Sequence, residues 1–396
     1  MPVWFSLVIA WMNFSWLKNL EVLDLGYNTF DNAASILSCL DGLSSLKSLS
    51  LAGIQWKSSF GGPFHAKSTK KFQTILETIS SKLLHLEVLD LSSNNLSTEI
   101  LPSLRAFGSL KELYLNNTEL DSDLHFQGLK NLEILDISGN INFRDIDIAS
   151  ALSGLSSLKS LNLGSSGITP RSIHNMSKLR SLEMLYLDGN NLDIWPLENH
   201  GFAWPSSLQV LVLSENNLSS KNIISSLNGL PSLKSLDLSG NSFGNNIISS
   251  LNGLPHLKSL DLSGTNLKGS LDISGLLTLT SLESLDLSGN NIVNFIVHKE
   301  YTILGTKPSQ EFSSLETKPF QEFSPLGTKP SQEFHLETLL KIYGATSMLA
   351  FSGSSSAIEI TAYLASMPTN ARTLSSHTLH PCQPMPMCHL NNFKLL

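Results

Sequence analysis

Aspartate recurs at one position of a stretch that is repeated along most of this chain. The recurring aspartates are Asp24, Asp90, Asp136, Asp237, Asp261 and Asp286. A column of carboxylates on one surface would attract a basic ligand. Aspartate side chains also bond the backbone close to them in sequence. We expect this local role to account for the column, with attraction of a basic ligand as the alternative.

Several repeats depart from the column with larger and less polar side chains. Tyr114 and Tyr186 replace aspartate, and Val210 and Val212 replace small or polar residues. Contiguous apolar side chains on a polar surface are typical of a protein or peptide contact. Tyrosine and valine are also ordinary strand residues, and the sequence leaves both interpretations open. The ligand-binding candidates are Tyr114, Asp136, Met184, Tyr186, Asp188, Val210 and Val212.

The sequence carries none of the common motifs that position catalytic groups. P-loop, GxSxG, HExxH and CxxC patterns are missing, and the 11 histidines are scattered. We expect Cys39 to be a small buried residue, and Cys382 and Cys388 leave a bridge or a metal site open. A net charge of −7 gives no support for nucleic-acid binding. We therefore predict a protein that is not an enzyme and has no catalytic, cofactor or metal site.

The repeated stretch is clearest at residues 233–243, which read LKSLDLSGNSF. Leu236 and Leu238 are two residues apart, so on a strand both side chains point to the same side. Asn241 follows at a place where an asparagine side chain can bond the backbone of a tight turn. One such unit cannot bury its own leucines, so it must stack on copies of itself.

The pattern LxxLxLxxN, with some variation at its last position, occurs eleven times. Its first leucines are Leu20, Leu46, Leu86, Leu110, Leu132, Leu158, Leu182, Leu208, Leu233, Leu257 and Leu282. The intervals are 22 to 26 residues except for one of 40, and leucine-rich repeats are about 20–29 residues long. The sequence predicts an α/β leucine-rich-repeat solenoid. A curved parallel β-sheet would form its concave face, with short helices or turns on the convex face.

The last position of the pattern is asparagine in seven repeats. These turn residues are Asn28, Asn94, Asn140, Asn190, Asn216, Asn241 and Asn290. Thr118, Ser166 and Thr265 stand there in three others and can make part of the turn bond. Ile54 cannot make it, and Ile54 also opens the interval of 40 residues. We therefore expect the weakest joint of the solenoid at Ile54.

Three segments follow from the repeats: an apolar segment 1–16, a solenoid 17–296 and a low-complexity segment 297–396. The solenoid has an insertion at 55–82, in which apolar residues from Thr69 to Leu83 follow helical spacing. We favour a decayed repeat whose helix packs on the convex side over a binding loop. Residues 222–240 and 246–264 differ at a single position and indicate a tandem duplication.

The two terminal segments carry separate expectations. The first is either a weak signal peptide or an edge cap made by Trp4, Phe5, Trp11 and Trp16. The last holds three 11-residue repeats with Lys-Pro, and we expect it to be mostly disordered. It is either a functional tail or a product of a misread gene. No apolar run is long enough to predict a transmembrane helix.

Five N-x-S/T sequons are compatible with secretion. They begin at Asn13, Asn95, Asn116, Asn175 and Asn217. Asparagine, serine and leucine are abundant in this repeat, so such triplets also arise without any role in glycosylation.

Three phrases resemble plant leucine-rich-repeat receptor-like proteins: LKNLEVLDLGYNTFDN at 17–32, LSSLKSLNLG at 155–164 and GSLDISGLLTLTSLESLDLSGNNI at 269–292. The resemblance covers roughly 17–296. It implies a membrane-anchored ectodomain that senses peptides or pathogen molecules and signals through a co-receptor kinase. The family's cysteine-bearing cap, C-terminal cap and membrane helix have no counterpart here, so we expect a truncated, ectodomain-only form.

The sequence thus favours a non-catalytic, protein- or peptide-binding ectodomain in plant defence or developmental perception. The resemblance implies an extracellular or plasma-membrane location. The alternatives are an intracellular leucine-rich-repeat interaction scaffold in the cytoplasm, or a truncated paralogue without function.

Overall fold

A computed structural model describes residues 14, 16–57, 65–143, 146–193, 203–219, 227 and 230–297. Its strands are β1 (Val22–Asp24), β2 (Thr29–Phe30), β3 (Ser48–Ser50), β4 (Gln55–Trp56), β5 (Val88–Asp90), β6 (Glu112–Tyr114), β7 (Ile134–Asp136), β8 (Ser160–Asn162), β9 (Met184–Tyr186), β10 (Val210–Val212), β11 (Ser235–Asp237), β12 (Ser259–Asp261), β13 (Lys268–Asp272), β14 (Ser284–Asp286) and β15 (Asn291–Ile296). Its α-helices are α1 (Ala33–Leu40), α2 (His65–Ser80), α3 (Leu101–Leu104) and α4 (Ile148–Ala151). Short 3-10 helices span Thr98–Ile100, Met176–Lys178, Asn245–Gly253 and Leu276–Thr278.

Eleven of these strands form one parallel sheet in the order β1-β3-β5-β6-β7-β8-β9-β10-β11-β12-β14. Each pair is in register, so the central leucine of one strand lies beside that of the next, as Leu211 does beside Leu236. These leucines are buried except in the edge strands β1 and β14, where they are half-buried. The first and third residues of strands such as β11 are half-buried. The predicted parallel sheet of a leucine-rich-repeat solenoid, with short helices between strands, is confirmed.

The turn asparagines do more than the predicted local bond. Asn241 Nδ2 donates to Leu238 O at 2.9 Å and to Ser239 O at 3.1 Å, within its own turn. It also donates to Leu213 O of the preceding repeat at 2.9 Å. Asn241 Oδ1 in turn accepts the N–H groups of Asn216 and Leu218 at 3.0 and 2.9 Å.

Bonds of this kind recur along the solenoid, and we call the residues that make them the asparagine ladder. Its members are Asn94, Asn140, Asn190, Asn241 and Asn290. Asn216 donates in the same way, but its buried Oδ1 accepts no hydrogen bond. Thr118 and Thr265 supply part of the turn bond, as predicted, through their hydroxyls to Leu115 O and Leu262 O.

The joint at Ile54 keeps its backbone pairing across the interval of 40 residues. Strands β3 and β5 are paired in register, and the Ile54 N–H donates to Asn94 Oδ1 at 2.9 Å. Asn94 Nδ2 also donates to Leu51 O at 2.8 Å, the turn carbonyl that the Ile54 side chain cannot bond. Backbone pairing is continuous across this joint, and its lower stability stays a prediction.

Helix α2 occupies the insertion and begins four residues before the predicted start at Thr69. Phe72, Ile75, Leu76 and Ile79 are buried against the common core. The helix contacts α1 and α3, so it lies with the other helices of the solenoid. This placement agrees with a helix that packs on the convex side.

The prediction for Cys39 comes out differently, whereas the predictions for the ends stay predictions. Trp16 is 67% exposed. Cys39 is half-buried in α1 rather than buried, and its Sγ donates to Ser35 O. Trp4, Phe5, Trp11, Cys382, Cys388 and residues 298–396 lie outside the described residues. Within the described ranges no helix has the length and apolar character to cross a bilayer.

Candidate ligand-binding face of the parallel sheet

The side chains of the first and third strand residues point away from the leucine core, and together they form what we call the open face. Its first row is Val22, Ser48, Val88, Glu112, Ile134, Ser160, Met184, Val210, Ser235, Ser259 and Ser284. Its second row is Asp24, Ser50, Asp90, Tyr114, Asp136, Asn162, Tyr186, Val212, Asp237, Asp261 and Asp286. The parallel register therefore decides which candidates become neighbours.

An apolar patch lies where β9 and β10 meet. The register places Met184 beside Val210 and Tyr186 beside Val212. All four side chains are half-buried, so each keeps apolar surface in contact with solvent. We use the name apolar patch for these four residues, which the structure brings together as the sequence predicted.

The sequence did not single out Ile134, which lies in the same row as Met184. Only Ser160 separates the two across the sheet, and Ile134 is half-buried. A comparison of the residue before the central leucine in each strand would have found it. Ile134 extends the apolar surface of the open face toward β7.

Tyr114 lies apart from the apolar patch. Asp136 and Asn162 separate it from Tyr186 in the second row, a distance of about 14 Å for three strand spacings. Tyr114 Oη donates to Glu112 Oε2 at 2.9 Å. Burial, and then the negative charge of Glu112, raises the pKa of Tyr114 well above its ordinary value. Tyr114 and Tyr186 therefore flank a polar pair and form no continuous aromatic surface.

Asp136 is engaged with its neighbours and is only 8% exposed. Its Oδ1 accepts from Ser138 N at 2.9 Å and Ser138 Oγ at 2.7 Å, and its Oδ2 accepts from Asn162 Nδ2 at 3.1 Å. Burial raises the pKa of Asp136 despite these bonds. Its geometry is that of a structural residue of the face, with little carboxylate surface left for a ligand.

The whole aspartate column shows the local bonding that we expected. In each of the six residues Oδ1 accepts the backbone N–H two positions later, at 2.7–2.9 Å. The bond shapes the turn after the strand and leaves the negative charge in place. No lysine, arginine or histidine occurs in either row of the open face as the structure describes it.

Asp188 adds a carboxylate beside the apolar patch, two residues after Tyr186. Asp188 is half-buried. Its carboxylate lies close to Gly164, since a Cβ atom added to Gly164 would be 2.8 Å from each Asp188 oxygen. Burial raises the pKa of Asp188, and the negative charges of Asp237 and Glu215 raise it further. The surroundings of the patch are therefore electrostatically negative.

The residue before each strand lies at one margin of the open face, and it is lysine in five of the eleven repeats. Most of these lysines pair with a glutamate of an adjacent repeat. The pairs of this Lys/Glu row are Lys47–Glu21, Lys111–Glu87, Lys159–Glu133 and Lys258–Glu283, at 2.7–2.9 Å. Lys234 instead donates to Gln209 Oε1 at 2.8 Å. These exposed pairs each stabilise the fold little, but they hold most of the lysines at the margin.

The structure describes the surroundings of two of the predicted sequon asparagines. Asn116 is only 8% exposed in the folded chain. Asn175 Nδ2 donates to Asp147 Oδ2 at 2.9 Å. Asn13 lies outside the described residues. In the ranges that the structure describes, no group of three or more His, Cys, Asp or Glu side chains could hold a metal ion.

Comparison with known proteins gives relatives for part of the chain. A family model described as Leucine Rich Repeat matches residues 85–107, and one described as Leucine Rich repeat matches 229–251, 253–270 and 278–293. Lumican from Oryctolagus cuniculus is 33% identical over 172 residues, which are 42% of this chain and 82% of that sequence. Lumican from Bos taurus is 34% identical over 168 residues, which are 41% of this chain.

The chain spans only 45% of the length of the Bos taurus relative. Among solved structures, internalin C2 from Listeria monocytogenes has 22% identity and a TM-score of 0.40, covering 55% of this chain and 92% of that one. The repeat spacing, the parallel sheet with its asparagine ladder, and the match to most of the rabbit lumican sequence agree. The chain belongs to the leucine-rich repeat family of proteins.

Proposed function

We propose that this chain binds a protein or peptide on its open face, with the apolar patch as the centre of the contact. The observation that carries the proposal is the contiguity of Met184, Tyr186, Val210 and Val212 on two paired strands. The adjacent strands present polar residues at the same positions, Ser160 and Asn162 on β8 and Ser235 and Asp237 on β11. A partner that covers the patch would remove its remaining apolar surface from water, at about 25 cal/mol per Å².

The charges of the open face support a particular kind of partner. The negative charges of Asp237 and Glu215 lie close enough to Asp188 to raise its pKa, and the two rows contain no cation to balance them. Lysine or arginine side chains on a partner would lower this repulsion while an adjacent apolar side chain covers the patch. We therefore propose a partner segment that combines basic and apolar residues.

The finer proposal is an extracellular, receptor-like ectodomain. It is supported by the plant receptor-like phrases at 17–32, 155–164 and 269–292, and by the sequons. A role in defence or developmental perception, and a co-receptor kinase as partner, rest on those phrases alone. The lumican relatives described above are vertebrate proteins.

A peptide library displayed on phage tests the proposal with the full-length chain as bait. Peptides enriched on the wild type are measured again on the double variant Tyr186→Ser/Val212→Ser. Loss of two central contact residues should weaken binding by roughly tenfold or more. We expect the enriched peptides to carry lysine or arginine near an apolar residue.

Tyr27→Ser is the matched control, because Tyr27 is a 74% exposed tyrosine outside both rows of the open face. It should leave binding unchanged. Peptides that bind the double variant as tightly as the wild type would place the contact elsewhere. A library that yields no peptide dependent on the open face would also count against the proposal.

A further inference from the structure

Two sequon asparagines occupy the same place in their repeats, directly after a buried turn asparagine. They are Asn95, after Asn94, and Asn217, after Asn216. Asn95 is half-buried, whereas Asn217 is exposed and has left-handed backbone with a φ of 56°. Within the described residues no hydrogen bond occupies the Asn217 side-chain amide. Among the described sequons, Asn217 therefore offers the most accessible amide nitrogen.

Asn217 also lines a groove of about 350 Å³ that runs over four successive repeats. Gly240, Gly264 and Gly289 line it at the position before the turn residues Asn241, Thr265 and Asn290, all with positive φ. Earlier repeats mostly carry a side chain at this position, as at Ser93, Asn117, Ser165 and Glu215. The glycines leave a strip of bare backbone in the repeats that follow Asn217.

The polar groups of the groove suit a saccharide. Every lining residue is asparagine, glycine or serine, so the groove contains no charge and no large apolar side chain. Asn266 Nδ2 donates to Ser242 Oγ at 3.3 Å, and Asn291 lines the groove one repeat further on. Amide and hydroxyl groups both donate and accept hydrogen bonds, which matches the hydroxyl and acetamido groups of a sugar.

We infer that Asn217 is an N-glycosylation site and that the first sugars of its glycan lie in this groove. The Ser219 hydroxyl completes the sequon. The inference rests on the proposed extracellular function, because the oligosaccharide donor is found in the secretory pathway. It places the glycan at the turns that follow the strands and leaves the open face free for its partner.

The modification is a group transfer from a polyprenyl diphosphate carrier. A bond forms between Asn217 Nδ2 and the anomeric carbon of the oligosaccharide, and the bond from that carbon to the diphosphate oxygen breaks. The diphosphate leaves with the bonding electron pair, and one amide proton passes to a base. Nothing is oxidised or reduced, and the glycosyltransferase of the host cell catalyses the step.

The test is site-specific mapping of glycans on the full-length chain secreted from cultured animal cells behind a foreign signal peptide. We expect most secreted molecules to carry a glycan at Asn217. Asn217→Gln and Ser219→Ala should each remove one glycan mass. Ser219→Ala keeps Asn217 in place, so it tests the site even if Asn217→Gln does not fold. Asn175→Gln, which alters an amide already bonded to Asp147, should remove none.

Secreted monomer with Asn217 unoccupied would overturn the assignment. The groove is tested by hydrogen exchange at Gly240 and Gly264, whose amides donate to Ser263 O and Ser288 O. We expect exchange there to be at least about twofold slower in glycosylated wild type than in Asn217→Gln. Equal rates would refute contact between the glycan and the groove.

The foreign signal peptide separates this inference from the proposed extracellular function. A chain that is glycosylated at Asn217 behind that signal, yet stays in the cytosol behind its own N-terminus, would refute the extracellular location. It would leave the accessibility of Asn217 established.

Discussion

Replacement of Asn241 by alanine tests whether the asparagine ladder links adjacent repeats. The change removes five hydrogen bonds, three donated by Nδ2 and two accepted by Oδ1. Leu213 O keeps the Asn216 side-chain amide as a donor at 3.1 Å, and Ser239 O keeps the Glu215 N–H. We therefore count the buried Leu238 O and the N–H groups of Asn216 and Leu218 as left unsatisfied. At about 1–1.5 kcal/mol for each buried group, the loss is roughly 3–4 kcal/mol.

Asn28→Ala is the matched control at the same position of the first repeat. Asn28 is exposed and donates only to Leu25 O and Gly26 O within its own turn. Its loss should cost about 1 kcal/mol. Asn241→Thr should fall between the two alanine variants, because threonine keeps one turn bond, as Thr265 does to Leu262 O.

The assay is urea unfolding monitored by circular dichroism, combined with hydrogen exchange at the amide of Leu218. The ladder predicts faster exchange at Leu218 in Asn241→Ala, since this amide loses its acceptor. Free energies of unfolding that fall equally in Asn241→Ala and Asn28→Ala, with unchanged exchange at Leu218, would refute a link between repeats.

Two further predictions concern backbone strain and charge. Glu215 has a φ of 54°, a left-handed conformation that is strained for most residues other than glycine. Glu215→Gly should therefore raise the free energy of unfolding by about 0.5–1 kcal/mol. Gly240 has a φ of 65°, so Gly240→Ala should lower the free energy of unfolding in the same urea titration. Asp188 has a raised pKa in the folded chain, so its ionisation is less favourable there than in the unfolded chain. Its contribution to stability is present at low pH and is lost as pH rises through the folded pKa. Asp188→Asn should therefore be more stable than wild type at pH 7, and this difference in stability should vanish by roughly pH 3. A difference that stays constant across this pH range would contradict ionisation of Asp188 as its cause.

The fold follows from the sequence because its main determinants are periodic. Leu236 and Leu238 recur at fixed spacing from Asn241, and only a stacked parallel sheet buries every copy at once. Spacing along one chain does not show that Asn241 also reaches Leu213 and Leu218 in the preceding repeat. That contact depends on the distance between repeats, which the sequence does not contain. The bond between Ile54 and Asn94 was missed for the same reason.

The candidate site was less predictable than the fold, because it depends on strand register. Met184, Tyr186, Val210 and Val212 lie on consecutive repeats, so their contact could be predicted from the repeat count. Tyr114 looks equivalent to Tyr186 in the sequence, but two polar residues separate them on the sheet. The burial of Asp136 depends on Ser138 and Asn162, and the pattern of repeats says nothing of that environment.

The Lys/Glu row has a consequence for the growth of the solenoid by duplication. Repeats that alternate glutamate and lysine place opposite charges side by side, so copying a single repeat sets two like charges next to each other. The nearly identical stretches 222–240 and 246–264 do this with Lys234 and Lys258. Gln209 on one side and Glu283 on the other provide acceptors for these two lysines. A third copy in tandem would put a lysine between two others, so copying repeats in pairs would be the electrostatically neutral way to lengthen this chain.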